Sequence, residues 1–431
     1  MSANLIGIIL LLSFFAFIYY AAKGGNLVIG FLFMAILWSI FGVIGGSIAI
    51  GDVQSYVFEG GAEGWGPTAC IVMFGSWFGQ VLVQTGIAST IIRKTVELGG
   101  DRPLITTILL SIVVSLIFTS CFGAGSVVAI GVIVLPILLS LGISKALALS
   151  SYLMSVGAGM YVNVVLFEEV QGMFQEEFLY DWNYLKYAFG AMAIQLVIVF
   201  IMCMVKMKKN APVKAWAADT GAAPTTQHAP WYALITPLIP PILVIAFNWE
   251  PIPSFLVASF YALFTCGKIK SYKDAATIVP KTFFDGVVDI APMFAFLFIL
   301  PMFNRIAGAN AIFFEGILSK VLPSNALVLC IVFAVLAPLA LFRGPLTIFG
   351  AGTATLAVLL GLNVYSAALL LPLVYTPTIA MNISCCPTQS WNLWAINYTK
   401  ATTSEFVKSG LAWGWMSSAL ITMLVYFLYA A

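Results

Sequence analysis

Residues 340–363 read ALFRGPLTIFGAGTATLAVLLGLN, and residues 121–144 read CFGAGSVVAIGVIVLPILLSLGIS. Laid over one another at a constant offset of 219 positions, Gly344 falls on Gly125, Gly350 on Gly131 and Gly361 on Gly142. Carried on without a gap, the same register places Asn382 on Asn163. A three-residue shift upstream sets Gly308 on Gly86 and Asp285–Gly286 on Glu63–Gly64. Landmarks held in register over so long a distance mark an internal repeat.

The repeat belongs to a membrane protein. Of 431 residues, 61% are hydrophobic and only 8% are charged, against about 25% charged in a soluble domain. Apolar runs long enough to cross a ~30 Å hydrocarbon core recur along the chain. They are continuous rather than alternating, which excludes a membrane β-barrel. The expected fold is an all-α polytopic protein of about 11 spans plus two re-entrant hairpins. A net charge of +2 gives no basic footprint for nucleic acid. The 7 cysteines lie singly in apolar segments apart from Cys385 and Cys386, with no CxxC pair. Neither a metal site nor a cofactor is therefore expected, beyond a transported or coupling ion. His228, the single histidine, sits in a polar stretch as a bystander. The first apolar run ends at Lys23 without a small-residue cleavage site, so no cleavable signal peptide is expected.

One segment is polar: KMKKNAPVKAWAADTGAAPTTQHAP, residues 206–230. It reads as a linker between a first repeat, 1–205, and a second, 231–431. Lys and Arg placement fixes the orientation of each repeat. The lysines of the linker put it in the cytoplasm. Arg93, Lys94, Arg102 and Lys145 of the first repeat then fall inside, and so do Lys268, Lys270, Lys273, Lys281, Lys400 and Lys408 of the second. The acidic segments Asp52–Glu63 and Glu168–Asp181 fall outside. Equivalent segments face opposite ways, so the repeats are inverted, as in secondary transporters. The N-terminus and C-terminus are both expected outside, in a plasma (cell inner) membrane.

Within each repeat two apolar stretches flank a glycine-rich break. In the first, residues 104–142, Arg102 and Lys145 must both be cytoplasmic, so the tract enters and leaves by one face as a hairpin. The second hairpin, 325–361, enters from outside and breaks at FRGP. There Pro345 removes a donor and Gly344 frees the backbone. Arms of about 16 residues are about 24 Å long, which brings each tip near the midplane. Arg343 is the only charge between Asn325 and Asn382. A cation at that depth costs at least ~2.5–3.5 kcal/mol. Its partner is either built in, at Glu168 or backbone carbonyls, or an anion from solution held by the guanidinium fork. The tip also offers helix N-terminal N–H groups to an anion.

The spans that follow, 145–167 and 364–390, are broken as well: SVGAGMYVNVV in one and YTPTIAMNISCCPTQSW in the other. Unwound backbone at membrane depth is tolerated where it lines a cavity, and its carbonyls can bind a cation. Asn163 and Asn382 stand at these breaks in equivalent positions. The expected substrate-binding set is Arg343, Gly344, Gly125, Ser126, Thr347, Asn163, Asn382, Thr388 and Gln389. The coupling ion, Na+ or H+, is expected at Gly123, Asn163, Thr378, Asn382 and Glu168. For the asparagines alone, packing between helices is the competing role.

Hairpin, arm and broken span, twice and inverted, resemble the ion transporter superfamily. The segments FEGGAEGWG…FGSWFGQVLVQTGIASTIIRKTVELGG and LFRGPLTIFGAG resemble the gluconate permease family in particular. The resemblance implies two hairpin-containing transport domains on a homodimer scaffold, moving as an elevator. The chain departs from that family after the first hairpin, where GMYVNVVLFEEVQ has neither the His nor the Pro of its counterpart. The function expected is ion-coupled secondary transport of a small organic anion, a carboxylate or sugar acid. A cation/proton antiporter would place an Asp or Glu in the hairpins, which have none. An intramembrane enzyme would need an acid–base set, which the apolar segments lack. The map of charges has a direct test. A cysteine introduced into the linker 206–230 should resist impermeant thiol reagents added outside intact cells, and labelling from outside would invert the topology.

Overall fold

A computed structural model describes the chain apart from residues 1–2, 24, 101, 175–179, 208–227, 319–322, 324, 363 and 431. The cytoplasmic linker expected at 206–230 lies almost entirely outside the described residues. Every regular element among the described residues is helical. Six helices are long and apolar enough to cross a membrane alone, and two bent pairs bring the number to eight. Large apolar side chains such as Phe15, Ile29, Phe33 and Phe427 point outward with more than half their surface exposed. That is the surface of a multi-pass membrane protein, whose solvent on those faces is lipid.

The first repeat runs α1 (Ala3–Ala22), α2 (Leu27–Gly45), the short α3 (Ile50–Asp52) and α4 (Gly60–Gly64) around a π-helical turn, then α5 (Gly66–Gln84). The arm α6 (Ile87–Gly99) leads to the hairpin α7 (Pro103–Phe118) and α8 (Ala124–Ser140). The broken span is α9 (Lys145–Met160) and α10 (Val164–Gln171), bent by 66°. The long α11 (Trp182–Lys206) closes the repeat. The second repeat begins with a 3-10 segment, Trp231–Leu238, followed by α12 (Ile239–Phe247), α13 (Pro251–Thr265) and the 38-residue α14 (Tyr272–Ala309). The arm α15 (Ala311–Leu318) leads to the second hairpin. Its arms are α16 (Ala326–Leu336), prolonged by a 3-10 turn Ala337–Arg343, and α17 (Gly352–Gly361). Then come α18 (Ala367–Pro377) with a π-helical turn Thr378–Ile383, α19 (Ser390–Thr399) and α20 (Thr403–Tyr429).

The inversion is visible in one pair of helices. The equivalent helices α11 and α20 lie side by side and antiparallel. Tyr429 at the end of α20 donates to the Asn183 carbonyl at the start of α11, 2.8 Å. At the other end Lys206 Nζ donates to the Ser409 carbonyl, 2.7 Å. Lys145, at the mouth of the first hairpin, reaches the Lys400 carbonyl at 3.3 Å on that same face. Lys145, Lys206 and Lys400 are thus gathered at one membrane face, as the charge pattern requires.

The elements sort into two layers. Helices α2, α5 and α14 pack through aromatic rings: Phe303 meets Phe31 and Trp38, and Trp65 meets Phe294 and Phe298. Trp77 Nε1 donates to Thr282 Oγ1 at 2.9 Å, and Ser76 Oγ to the Gly286 carbonyl at 2.8 Å. A methyl group at Gly286 would lie 2.8 Å from the Trp77 nitrogen, so only glycine permits this approach. The other layer holds both hairpins, both broken spans, α11 and α20. At its centre the broken spans cross. Gln195 of α11 donates to the Met154 carbonyl at 2.8 Å and to Ser384 Oγ at 3.0 Å, joining one span to the other.

Gly157 sits at that crossing. A Cβ there would overlap Ser384 Oγ and lie 2.8 Å from Gln195 Nε2. Overfilling a packed site costs about 1–3 kcal/mol. Gly157→Val should therefore lower the melting temperature of the purified protein. Adding Ser384→Ala should recover part of that loss, because the overlapping oxygen is gone. Additive losses would place the clash elsewhere.

Candidate functional site: the hairpin tips and broken spans

The first tip is built for close approach. Thr119 to Gly123 are non-helical, and Gly123 takes φ 95°, a conformation that favours glycine. Ser126, buried at the start of α8, donates to the Phe122 carbonyl at 3.1 Å. The scaffold presses on this tip from two sides. A Cβ at Gly123 would lie 3.3 Å from Ser76 Oγ of α5. A Cβ at Gly125 would overlap the carboxylate of Asp289 on α14. Asp289 also accepts a short hydrogen bond from Gln80 Nε2 of α5. An acid absent from the hairpin in sequence is thus delivered to its tip by another helix.

The second tip is tighter than its sequence suggests. The break was expected to use the freedom of Gly344, but Gly344 is extended at φ −72°, ψ −174°. The left-handed conformations fall on Phe342 and Arg343, at φ 53° and 60°. Glycine is needed at 344 for space: a Cβ would overlap the Leu339 carbonyl. The second arm does not follow directly on the FRGP break but starts at Gly352. Residues 344–351 form turns in which the Arg343 carbonyl accepts from Ala351 N at 2.9 Å. Thr347 is buried, and its carbonyl accepts from Gly350 N and Gly352 N, both at 3.0 Å. Arg343 itself is half-buried. Among the described residues its guanidinium has no hydrogen-bond or ion-pair partner.

The broken spans hold the tips. Asn163 Nδ2 donates to the Phe118 and Cys121 carbonyls, 2.9 Å each, and its Oδ1 caps α10 at Leu166 N, 3.0 Å. Asn382 Nδ2 donates to the Ala340 carbonyl at 3.3 Å. Ala340 is the repeat equivalent of Cys121, so the two asparagines make the same clamp in both halves. They differ in what is left over. Asn163 is fully engaged, whereas Asn382 Oδ1 is buried without a partner, as is Asn392 Oδ1 on α19. The second span is not unwound at Asn382 but continues as a π-helical turn. Pro372 and Pro377 remove donors just before it, and the ladder widens there.

The first break was expected to expose carbonyls for a cation. Instead each is taken by a tyrosine. Tyr375 donates to the Met160 carbonyl at 3.2 Å, Tyr184 to Tyr161 at 2.6 Å, and Tyr180 makes a short bond to Val162.

The expected residues thus form two groups. Gly123, Gly125 and Ser126 lie with Asn163 around the first tip. Arg343, Gly344 and Thr347 lie with Thr378 and Asn382 around the second, where Thr378 Oγ1 accepts from Ile348 N at 3.1 Å. Thr388 joins the second group through Cys386, whose sulfur accepts from Phe342 N at 3.2 Å and lies 3.1 Å from Thr388 Oγ1. Gln389 precedes α19 and makes no side-chain cap there. Glu168 is half-buried on α10, the half-helix that Asn163 caps. The sequence reading missed two charges, Asp289 and Arg305, and weighed Glu169 only beside Glu168, as a built-in partner for Arg343. Arg305 stands in an apolar run, PMFNRIAG, the same signal that marked Arg343. It lines a cavity of about 980 Å³ with Tyr56, Gly172, Asn304, Gly361 and Ser366. Arg305 Nη1 donates to the Tyr56 carbonyl at 2.9 Å, and the guanidinium lies 5.0 Å from the Tyr56 ring centroid.

No known family and no curated protein matches this sequence. The fold is similar to that of the YdaH transporter of Alcanivorax borkumensis, whose crystal structure is described as revealing an unusual topology. The TM-score is 0.62 at 13% identity, over 87% of this chain and 88% of that one. At such identity the likeness establishes the fold. It does not extend to the gluconate permease family, which the sequence motifs resemble.

The two asparagine clamps should respond unequally to removal. Asn163→Ala breaks three buried hydrogen bonds, including a helix cap, and should cost about 2–4 kcal/mol. Asn382→Ala breaks one long bond and also removes an unpaired buried oxygen, so it should cost under about 1 kcal/mol. Thermal unfolding of the two purified variants measures the difference, and equal losses would mean that the clamps are equivalent.

Proposed function

We propose that this chain is a secondary active transporter of a small organic anion, a carboxylate or sugar acid, driven by Na+ or H+. The observation that carries the reading is Arg343: a permanent cation at the tip of a membrane hairpin, without a partner among the described residues. An intramembrane cation is expensive, and such residues mark substrate pathways. A guanidinium offers a planar two-bonded fork that fits a carboxylate. The inverted repeats, the broken spans and the likeness to a protein named as a transporter support alternating access. In this reading the layer carrying the hairpins moves as an elevator against the layer of α2, α5 and α14. The chain sits as a homodimer in the plasma membrane, with both termini outside and the linker cytoplasmic.

A second reading, cation/proton exchange, draws on Asp289. Its carboxylate at the first tip supplies the acid that the hairpin sequence lacks. The two readings separate by variant. Under the first, Arg343→Gln should weaken uptake affinity about 10- to 150-fold, the loss of one charge-assisted contact. Arg343→Lys should be impaired as well, because an ammonium cannot make the fork. Both proteins should keep their melting temperature. The measurement is uptake of labelled gluconate, citrate, succinate and lactate into proteoliposomes, with Na+ and pH gradients imposed separately. Unchanged uptake in Arg343→Gln, together with loss of Na+-driven proton movement in Asp289→Asn, would favour the exchanger.

A further inference from the structure

Glu169 has no exposed surface, and among the described residues neither of its carboxyl oxygens has a hydrogen-bond partner. It lies on α10, the half-helix beyond the break at Asn163. Its neighbour Glu168 is turned to a half-exposed position. Buried polar groups with a structural role are almost always hydrogen-bonded. A structural carboxylate would show an arginine, a lysine or a set of N–H donors, and Glu169 shows none.

The groups around it explain which form it takes. Helix α5 packs against α10 and contributes one titratable side chain, the exposed Cys70. Helix α18 contributes Tyr375. Phe167, on the same half-helix, packs on the rings of Tyr180 and Tyr184. Asp181 at the start of α11 caps that helix at Asn183 N and Tyr184 N. The described cations at this end are Arg305 of α14, which is held at the Tyr56 carbonyl and lines the same cavity as Gly172, and Lys186 of α11, which is exposed. An ionised carboxylate here would have no exposed surface and no ion-pair partner among the described residues, and such burial disfavours the charged form.

The surroundings also show a way in. Gly172, three residues beyond Glu169, lines the 980 Å³ cavity. Trp65 packs against Gly172, 3.2 Å from the position of a Cβ there, and its Nε1 is buried and unpaired, as is Gln171 Oε1. Two further unmatched polar atoms thus lie within a few residues of Gly172, where α10 packs on α5. That seam joins the two layers.

We propose that Glu169 is a proton-binding site loaded from this cavity, and that it couples transport to the proton gradient. When α10 separates from α5, hydronium gives a proton to one carboxyl oxygen and leaves as water. When the seam closes, the acid is buried, and opening toward the other face lets water take the proton back. The coupling half of this proposal rests on the transporter reading above, but the proton site does not.

The test uses the full chain in lipid nanodiscs. Infrared difference spectra between alkaline and acidic buffer should contain the C=O stretch of a protonated carboxyl, shifted in D2O. Glu169→Gln should remove that band, Glu168→Gln should keep it, and Glu169→Asp should move it. The Asp variant also serves if the Gln variant does not fold. In proteoliposomes carrying whichever panel acid is transported, Glu169→Gln should lose pH-driven accumulation and retain substrate counterflow. A band unchanged in both Glu169 variants would overturn the site. A band lost with pH-driven accumulation intact would overturn its coupling role. Absence of transport for every panel acid, with the band behaving as expected, would count against the anion-transport reading and leave the proton site standing.

Discussion

A helix that stops inside a bilayer leaves carbonyls that lipid cannot hydrate, and each unsatisfied group there costs several kcal/mol. Both hairpins and both broken spans create such ends, so the architecture depends on supplying donors at the right depth. Asn163 and Asn382 supply them to the ends of the first hairpin arms, at Cys121 and Ala340. Tyrosines 375, 184 and 180 supply them to the break at 160–162. Asn392 does the same for the Ile383 and Cys386 carbonyls of the second repeat. Discontinuous helices in this protein are held by long polar side chains from the other elements of the same layer.

That solution differs between the repeats. In the first repeat the tyrosines and Asn163 consume the acceptors, leaving a sealed structural joint. In the second, the amide oxygens of Asn382 and Asn392 are left over close to the tip that carries Arg343. The duplicated architecture therefore has one half specialised for holding and one with unspent polar capacity. Inverted repeats permit this, because the two halves share a backbone plan but not a set of side chains.

The charges in the apolar interior sit where the two layers meet. Asp289 belongs to the α14 layer and touches the first tip. Arg305 belongs to the same helix and faces a cavity walled on the other side by the second hairpin. Glu169 lies on α10 where it packs on α5. In the proposed transport cycle a charge at such a seam would change its surroundings as the layers move, and a bound proton or anion would bias the equilibrium between the two arrangements.

The sequence determined the membrane class, because 61% of its residues are hydrophobic and its apolar runs are continuous, a pattern that satisfies the backbone in lipid as helices and not as the alternating strands of a barrel. It determined the repeat and its inversion, because glycines, asparagines and lysines are fixed by local backbone geometry and by the membrane face they occupy. Arg343 was legible for the same reason: a cation in an apolar tract stands out without any structure. Contacts between distant segments were not legible. The Asp289–Gly125 contact joins positions far apart in the chain, and the tyrosine hydroxyls that close the first break come from α11, α18 and the segment before α11. Which of two adjacent acids, Glu168 or Glu169, is buried depends on the rotation of α10 against α5. That rotation is set by packing around Phe167 and Trp65, and tertiary structure alone decides it.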